Sequence, residues 1–458
     1  MRALAAIGGV AVGARLVYGP GFESYDPLWS LIWGRQLTRG ELPDLDVIAT
    51  APTSHPLSNL VGALASLFGQ HGPTLLAVLS FISLGALAWA GFALGRTLFG
   101  AAVGVVAAFL FVTRRPIVDE TLQSLVDIPF LAFVVGAAAL EAQRPRRGLP
   151  VLALLGLAGL LRPEAWLLAL VYALYLSIGR PIRDVTRWGL AAAAAPLLWM
   201  AFDLVATGDP FHSLHGTRDL AGLLGRPRGA ETALLKLPLY LEFVVPEPLL
   251  WAGLIGVLLG LAVLYRASLL PAVILALGLL SFLALGVAGL PLLYRYVFVP
   301  SLVLALFAAV ALLGWSRLPS GRPRRVRSLL ALPAAALVVA LWAPSELRRL
   351  RDATSRAAAI ETSQSSQRAA LAAPRTRRTV RRCPPIYIRA LLQRPILAYR
   401  LDVPPTAIVS GVLPPRGTAI LASAVAPRPG YVRLDGNRDW TVYTSCAVAV
   451  TSAWPSVP

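Results

Sequence analysis

The sequence is short of charge. Only 14% of its 458 residues are Asp, Glu, Lys or Arg, where a soluble domain carries about 25%, so an ordinary soluble protein is excluded. Lysine is almost missing: Lys236 stands alone, and the other basic residues are arginines. Two cysteines permit one disulfide at most. Four histidines form no compact His/carboxylate motif of the kind that holds a metal. No internal repeat is visible, which speaks against the paired halves of many transporters. What is plentiful is apolar: 57% of residues are hydrophobic and the mean hydropathy is +0.67. The chain reads as an integral membrane protein.

The net charge of +19 and a pI near 11.0 raise the question of nucleic acid. The arginines, however, sit in short clusters between apolar runs, the distribution that the positive-inside rule produces. No nucleic-acid partner is expected. Met1-Arg2 and "ALAAIGGVAVGA" have some features of a signal peptide. The stretch continues through Arg15 into "LVYGPGF" without a clear cleavage site, so a retained first span is expected.

Apolar runs near 3–19, 74–94, 98–113, 122–140, 148–161, 164–179, 188–206, 248–264, 268–288, 296–314 and 328–343 predict about eleven spans. A segment at 56–69 is a twelfth or an interfacial helix. With the N-terminus inside, the inner loops carry Arg96, "QRPRRG" (143–148), Arg180, Arg183, Arg187, Arg266 and "SRLPSGRPRRVR" (316–327). The outer loops then hold Glu23, Asp26, Asp44, Asp46, His55, Asp119, Glu120, Glu164, Asp209, His212 and His215, with Arg114 and Arg115 as exceptions. A multi-pass protein of a bacterial plasma membrane is expected, its N-terminus cytoplasmic.

Composition divides the chain at about residue 344. Residues 1–344 form the membrane domain; 345–458 form a small, mostly β, extracytoplasmic domain, Arg-rich at first. From 383 the runs "PIYIRALL", "PILAYRL", "TAIVSGV", "TAILASAV", "YVRL" and "WTVYTSCAV" are strand-like. Outside the cell, Cys383 and Cys446 would meet oxidising conditions, so a bridge bracketing these strands stands against two buried thiols.

The most informative stretch is the first outer loop, "GFESYDPLWSLIWGRQLTRGELPD" (21–44). Asp26-Pro27 has a plain reading as a helix N-cap followed by proline at the first helical position. Beyond it come a "GxLP" turn, an "HPL" helix ending "LFG", and a span closing "GRTLFG". Further on lie "LLRPEAW" (160–166), "GDPFHS" (208–213) and "LLYRYVFVP" (292–300). In order and placement, over about residues 1–315, these resemble the polytopic GT-C glycosyltransferases, which include protein O-mannosyltransferases and the aminoarabinose transferases of lipid A. The resemblance implies a mostly α, GT-C-like transmembrane bundle that takes a sugar from a polyprenyl-phosphate donor at the outer face. It places the catalytic carboxylate on Asp26. Many relatives carry Asp-Glu there and this chain has Asp-Pro, which leaves open whether Glu23 is the second carboxylate.

That chemistry needs a base for an acceptor hydroxyl and cations, or a metal, for the leaving phosphate. Asp26 is the candidate base. Arg162, Arg218 and Arg295 are candidate phosphate ligands, with snorkelling to lipid headgroups as the alternative for each. Asp119 and Glu120 are candidates for acceptor binding or for helix capping. Glu164 either binds substrate or pairs with Arg162. His55 is a substrate-binding candidate, and His212 with His215 reads as exposed loop histidines; no metal ligand is assigned, and a divalent metal stays a lesser option. Displacement at the anomeric carbon in one step would invert its configuration. Two other functions remain open: a transporter or lipid flippase, and an envelope polysaccharide polymerase or ligase. The latter typically concentrates its key residues in a late loop, such as 207–247.

Overall fold

In hydrocarbon a chain satisfies its own backbone hydrogen bonds by coiling into helices, and the apolar runs of this protein do so. The computed structural model describes residues 1–314 and 322–446; the basic run at 316–327 lies partly outside them. The membrane part opens with α1 (Arg2–Tyr18), α2 (Tyr25–Thr38), α3 (Pro56–Ser66), α4 (Gly72–Phe99), α5 (Ala101–Val112) and α6 (Arg115–Leu122). It continues with α7 (Asp127–Gln143), α8 (Leu149–Gly159), α9 (Glu164–Ser177), α10 (Ile182–Thr207), α11 (His212–Leu223) and α12 (Ala230–Val244). Then follow α13 (Glu247–Val263), α14 (Tyr265–Val287), α15 (Phe298–Leu313) and the long α16 (Arg322–Ala370).

Eleven of these helices, α1, α4, α5, α7 to α10 and α13 to α16, coincide with the eleven expected apolar runs. Length is a stricter test. Among the described residues four helical stretches are long and apolar enough to cross a membrane alone, and two bent pairs, α5 with α6 and α12 with α13, raise that to six. The 11-residue α8 reaches only about 17 Å at 1.5 Å per residue, short of a hydrocarbon core of about 30 Å. The 56–69 segment is likewise too short, since α3 has 11 residues. The stretch 207–247, expected to be a loop, contains α11 and α12.

The core gathers around α15, whose residues are nearly all buried, with α4, α5, α7 and α13 packed about it. Arg114 and Arg115, the two exceptions to the expected charge pattern, find local explanations here. Arg114 is buried with its guanidinium 4.3 Å from the Trp342 ring, and Arg115 pairs with Asp119 one turn on. Helix α2 lies against α3 at a glycine crossing. A Cβ at Gly34 would stand 2.2 Å from the Ala63 nitrogen, and one at Gly62 2.1 Å from the Ser30 carbonyl oxygen. This fit fixes α2, and with it the start of the first loop.

The last part of the chain contains α17 (Pro374–Arg382), β1 (Ile386–Ile388), α18 (Arg394–Leu401), β2 (Ile408–Val409), β3 (Thr418–Ala422), β4 (Val432–Gly436) and β5 (Trp440–Thr444). The strands form one sheet in the order β2-β1-β3-β5-β4. β1 is parallel to β2 and β3, whereas β5 is antiparallel to β3 and β4. The strand-like run "PILAYRL" is a helix, α18. Parallel β1 and β2 need a crossover, and Pro395 at the first turn with left-handed Asp402 at the exit supports a helix there. Helix α16 runs unbroken through residue 344 into this part and packs on α6, α13, α15 and β5.

Cys383 and Cys446 are joined by a disulfide, with Cα atoms 6.1 Å apart at a sequence separation of 63. Closing so long a loop stabilises by about 2–4 kcal/mol. Cys383→Ser should therefore lower the unfolding midpoint of the sheet. A thermal melt of the purified variant beside the wild type checks this, and an unchanged midpoint would contradict it.

Candidate active site

Asp26 does not cap its helix. Helix α2 begins one residue earlier, at Tyr25, with Ser24 in the cap position, so Asp26 sits within the first turn. Its side chain is 39% exposed, and the nearest cation is Arg295, whose Nη1 lies 3.7 Å from Oδ2. The expectation of a capping aspartate is thus corrected, and the carboxylate is left available.

Arg295 comes from the single 3-10 turn that leads into α15. The same Nη1 is 3.8 Å from Oδ2 of Asp127, the first residue of α7. Its Nε is buried without a partner. Asp127 is wholly buried and also takes Arg162 in a close ion pair. Arg162 stands in the break between α8 and α9, where its Nε reaches Glu164 at 3.2 Å and its guanidinium lies 4.8 Å from the Tyr296 ring. Glu120 of α6 is buried and accepts the Tyr294 hydroxyl at 2.8 Å. Its second oxygen, like one of Glu164, has no partner. Five separate helix ends thus bring four carboxylates and two guanidinium groups together.

The two arginines are not equivalent. Arg162 is consumed by Asp127, Glu164 and Tyr296, and its side chain is 4% exposed. Arg295 is 22% exposed, and among the described residues its ion pairs are the long contacts to Asp26 and Asp127. Such a guanidinium is suited to accept an anion, because its donors are aimed and still unspent.

His55 precedes α3 and meets the Trp199 ring edge to face at 5.6 Å, with Nδ1 buried and unpartnered. Burial, reinforced by Arg162 and Arg295, pushes its pKa down to about 3. In the unfolded chain it protonates near 6.5. The folded state thus binds fewer protons between those values, and its stability falls as the pH drops through 6.5 toward 3. His55→Gln should remove that part of the acid sensitivity, read as a smaller loss of melting temperature between pH 7 and pH 5. An identical loss in both proteins would show that His55 does not contribute.

The remaining expected residues lie elsewhere. Glu23 does not join Asp26: its carboxylate takes Arg368 at 3.2 Å and Arg400 in a close pair. Asp119 points away from Glu120 and pairs with Arg115 at 3.2 Å, as neighbours about 100° apart on a helix do. Arg218 is on the surface, donating to the Ala288 carbonyl at 2.8 Å. His212 and His215 lie near Asp46 and Asp209, at 3.6 and 2.7 Å. No group of three His, Cys, Asp or Glu residues among the described residues is placed to hold a metal.

Sequence reasoning missed Asp127, Tyr294 and Tyr296. Asp127 fell inside the predicted span 122–140. The signal was present, since a lone carboxylate in an apolar run marks a functional or paired group.

The sequence matches no protein-family model and no curated protein. The structure does find likenesses. ArnT from Cupriavidus metallidurans, crystallised with undecaprenyl phosphate, superposes with a TM-score of 0.58 at 13% identity, over 98% of each chain. The apo state of ArnT gives 0.55 at 16% identity, over 96% of this chain and 97% of that one. The chain has the ArnT fold. The GT-C-like architecture expected from the order of the loops is therefore the one observed, and it extends past residue 315 to include the C-terminal sheet.

Proposed function

We propose that this protein is a membrane glycosyltransferase that moves a sugar from a polyprenyl-phosphate donor to an acceptor hydroxyl, at the outer face of a bacterial plasma membrane. The observation that carries this reading is the pairing of an accessible, uncapped Asp26 with an Arg295 whose hydrogen-bonding capacity is unspent, 3.7 Å apart. The fold shared with ArnT, a protein crystallised with undecaprenyl phosphate, supports a lipid phosphate as the anion for Arg295.

In the proposed step the acceptor oxygen attacks the anomeric carbon as the bond from that carbon to the phosphate oxygen breaks. The acceptor proton passes to the Asp26 carboxylate, and the bond's electron pair leaves with the phosphate. Arg295 stabilises the charge that develops there. Asp127 holds both arginines in place. A single displacement inverts the anomeric configuration. One end of the bundle carries all of these groups, so donor and acceptor would meet on one side of the membrane.

The test is binding of undecaprenyl phosphate to the purified protein. Arg295→Gln should weaken it at least tenfold, while Arg218→Gln, on the surface, should leave it unchanged. Equal affinity for the wild type and Arg295→Gln would remove the phosphate from this site.

A further inference from the structure

Helix α2, which carries Asp26, is gripped along its whole length by residues from the other end of the chain. Ahead of its first turn, the side-chain amide of Gln364 clasps both backbone groups of Glu23: it accepts the Glu23 N–H at 3.0 Å and donates to the Glu23 carbonyl at 2.7 Å. The Glu23 carboxylate, only 7% exposed, takes Arg368 from α16 and Arg400 from α18. Midway, Ile396 and Tyr399 of α18 pack on Leu28 and Leu31. At the far end Asp402 accepts Arg35 at 2.6 Å and Arg39 at 3.0 Å.

The grip extends to the neighbouring turn. Tyr399 donates to the Gly69 carbonyl at 2.7 Å, and Arg400 to that of Gln70, also at 2.7 Å. On its other flank α2 is seated on α3 through Gly34 and Gly62. A helix held on both flanks and tied by charge at both ends has little freedom to slide or turn. Exposed ion pairs contribute little, but Glu23 is buried, and a buried charge that loses its partner is costly.

We infer that the C-terminal domain is the clamp that sets Asp26 against Arg295, and that Glu23 is a positioning residue in place of a second catalytic carboxylate. This rests on Asp26 being the base. Misplacing a reacting group by about 1 Å can cost about 100-fold in rate, and Glu23 stands three residues before Asp26. The domain therefore acts on turnover without touching the donor.

The experiment compares Glu23→Gln and Arg400→Gln with the wild type in two measurements. The first is hydrogen exchange of the amides at 24–30; the second is release of undecaprenyl phosphate from its mannosyl, glucosyl and aminoarabinosyl derivatives, alongside affinity for undecaprenyl phosphate itself. Both variants should exchange faster at 24–30 and lose about 10- to 100-fold in kcat, with undecaprenyl phosphate affinity within threefold. Arg400→Lys should recover part of the rate. Unchanged exchange at 24–30 overturns the clamp, as does a loss of affinity parallel to the loss of kcat. If Asp26→Asn turns over like the wild type, the base assignment fails instead, and the exchange measurement still decides whether the clamp exists.

Discussion

Asp26→Asn is expected to fold like the wild type and to lose sugar transfer by about 100- to 10,000-fold, the range for removal of a general base. The side chain keeps its size, and no cap is lost because Ser24 holds that position. Asn retains a carbonyl that can accept a hydrogen bond from the acceptor hydroxyl, but it cannot take the proton. Binding of undecaprenyl phosphate should persist, since Arg295 and Asp127 remain. The diagnostic pattern is a reduced kcat with an unchanged melting temperature. Turnover equal to the wild type would end the assignment.

Asp127→Asn should act in the opposite manner, on the fold before the rate. Asp127 is buried and faces both Arg162 and Arg295. Taking away its charge leaves two guanidinium groups without their common counter-ion, and breaking a buried pair from one side costs about 3–5 kcal/mol. A much lower melting temperature in detergent and poor yield are expected. Removing the charge of Arg162 as well, in Asp127→Leu with Arg162→Met, should destabilise less than Asp127→Leu alone. If the double variant melts lower than the single one, the pairing is not what holds this end of the bundle.

Much of the site could be read from residue order because loops that alternate in sequence emerge at the same end of a bundle. Asp26, Glu120, Arg162 with Glu164, and Arg295 stand at four separate breaks between the predicted spans, and they converge. What the sequence hid were choices made by rotation and by distance. Asp119 and Glu120 are adjacent, yet one turns to Arg115 and the other to Tyr294. Glu23 finds Arg400 across 377 residues, a pairing that local pattern does not encode. Asp127 was concealed by the apolar residues around it, because a buried ion pair leaves its carboxylate in a span-like run. The sheet was legible strand by strand except at α18, where the parallel neighbours β1 and β2 impose a crossover that residue preference alone opposes.

The 49-residue α16 has a geometric consequence. Glu346, which accepts the Arg115 amide at the start of α6, and Gln364, which clasps Glu23, are about five turns apart at 3.6 residues per turn. They project from one face, like two teeth of a key. Shortening the stretch between them by a single residue would swing one tooth by about 100°, unhooking either α6 or the approach to Asp26. Between these two side chains, length and angular phase are a single constraint.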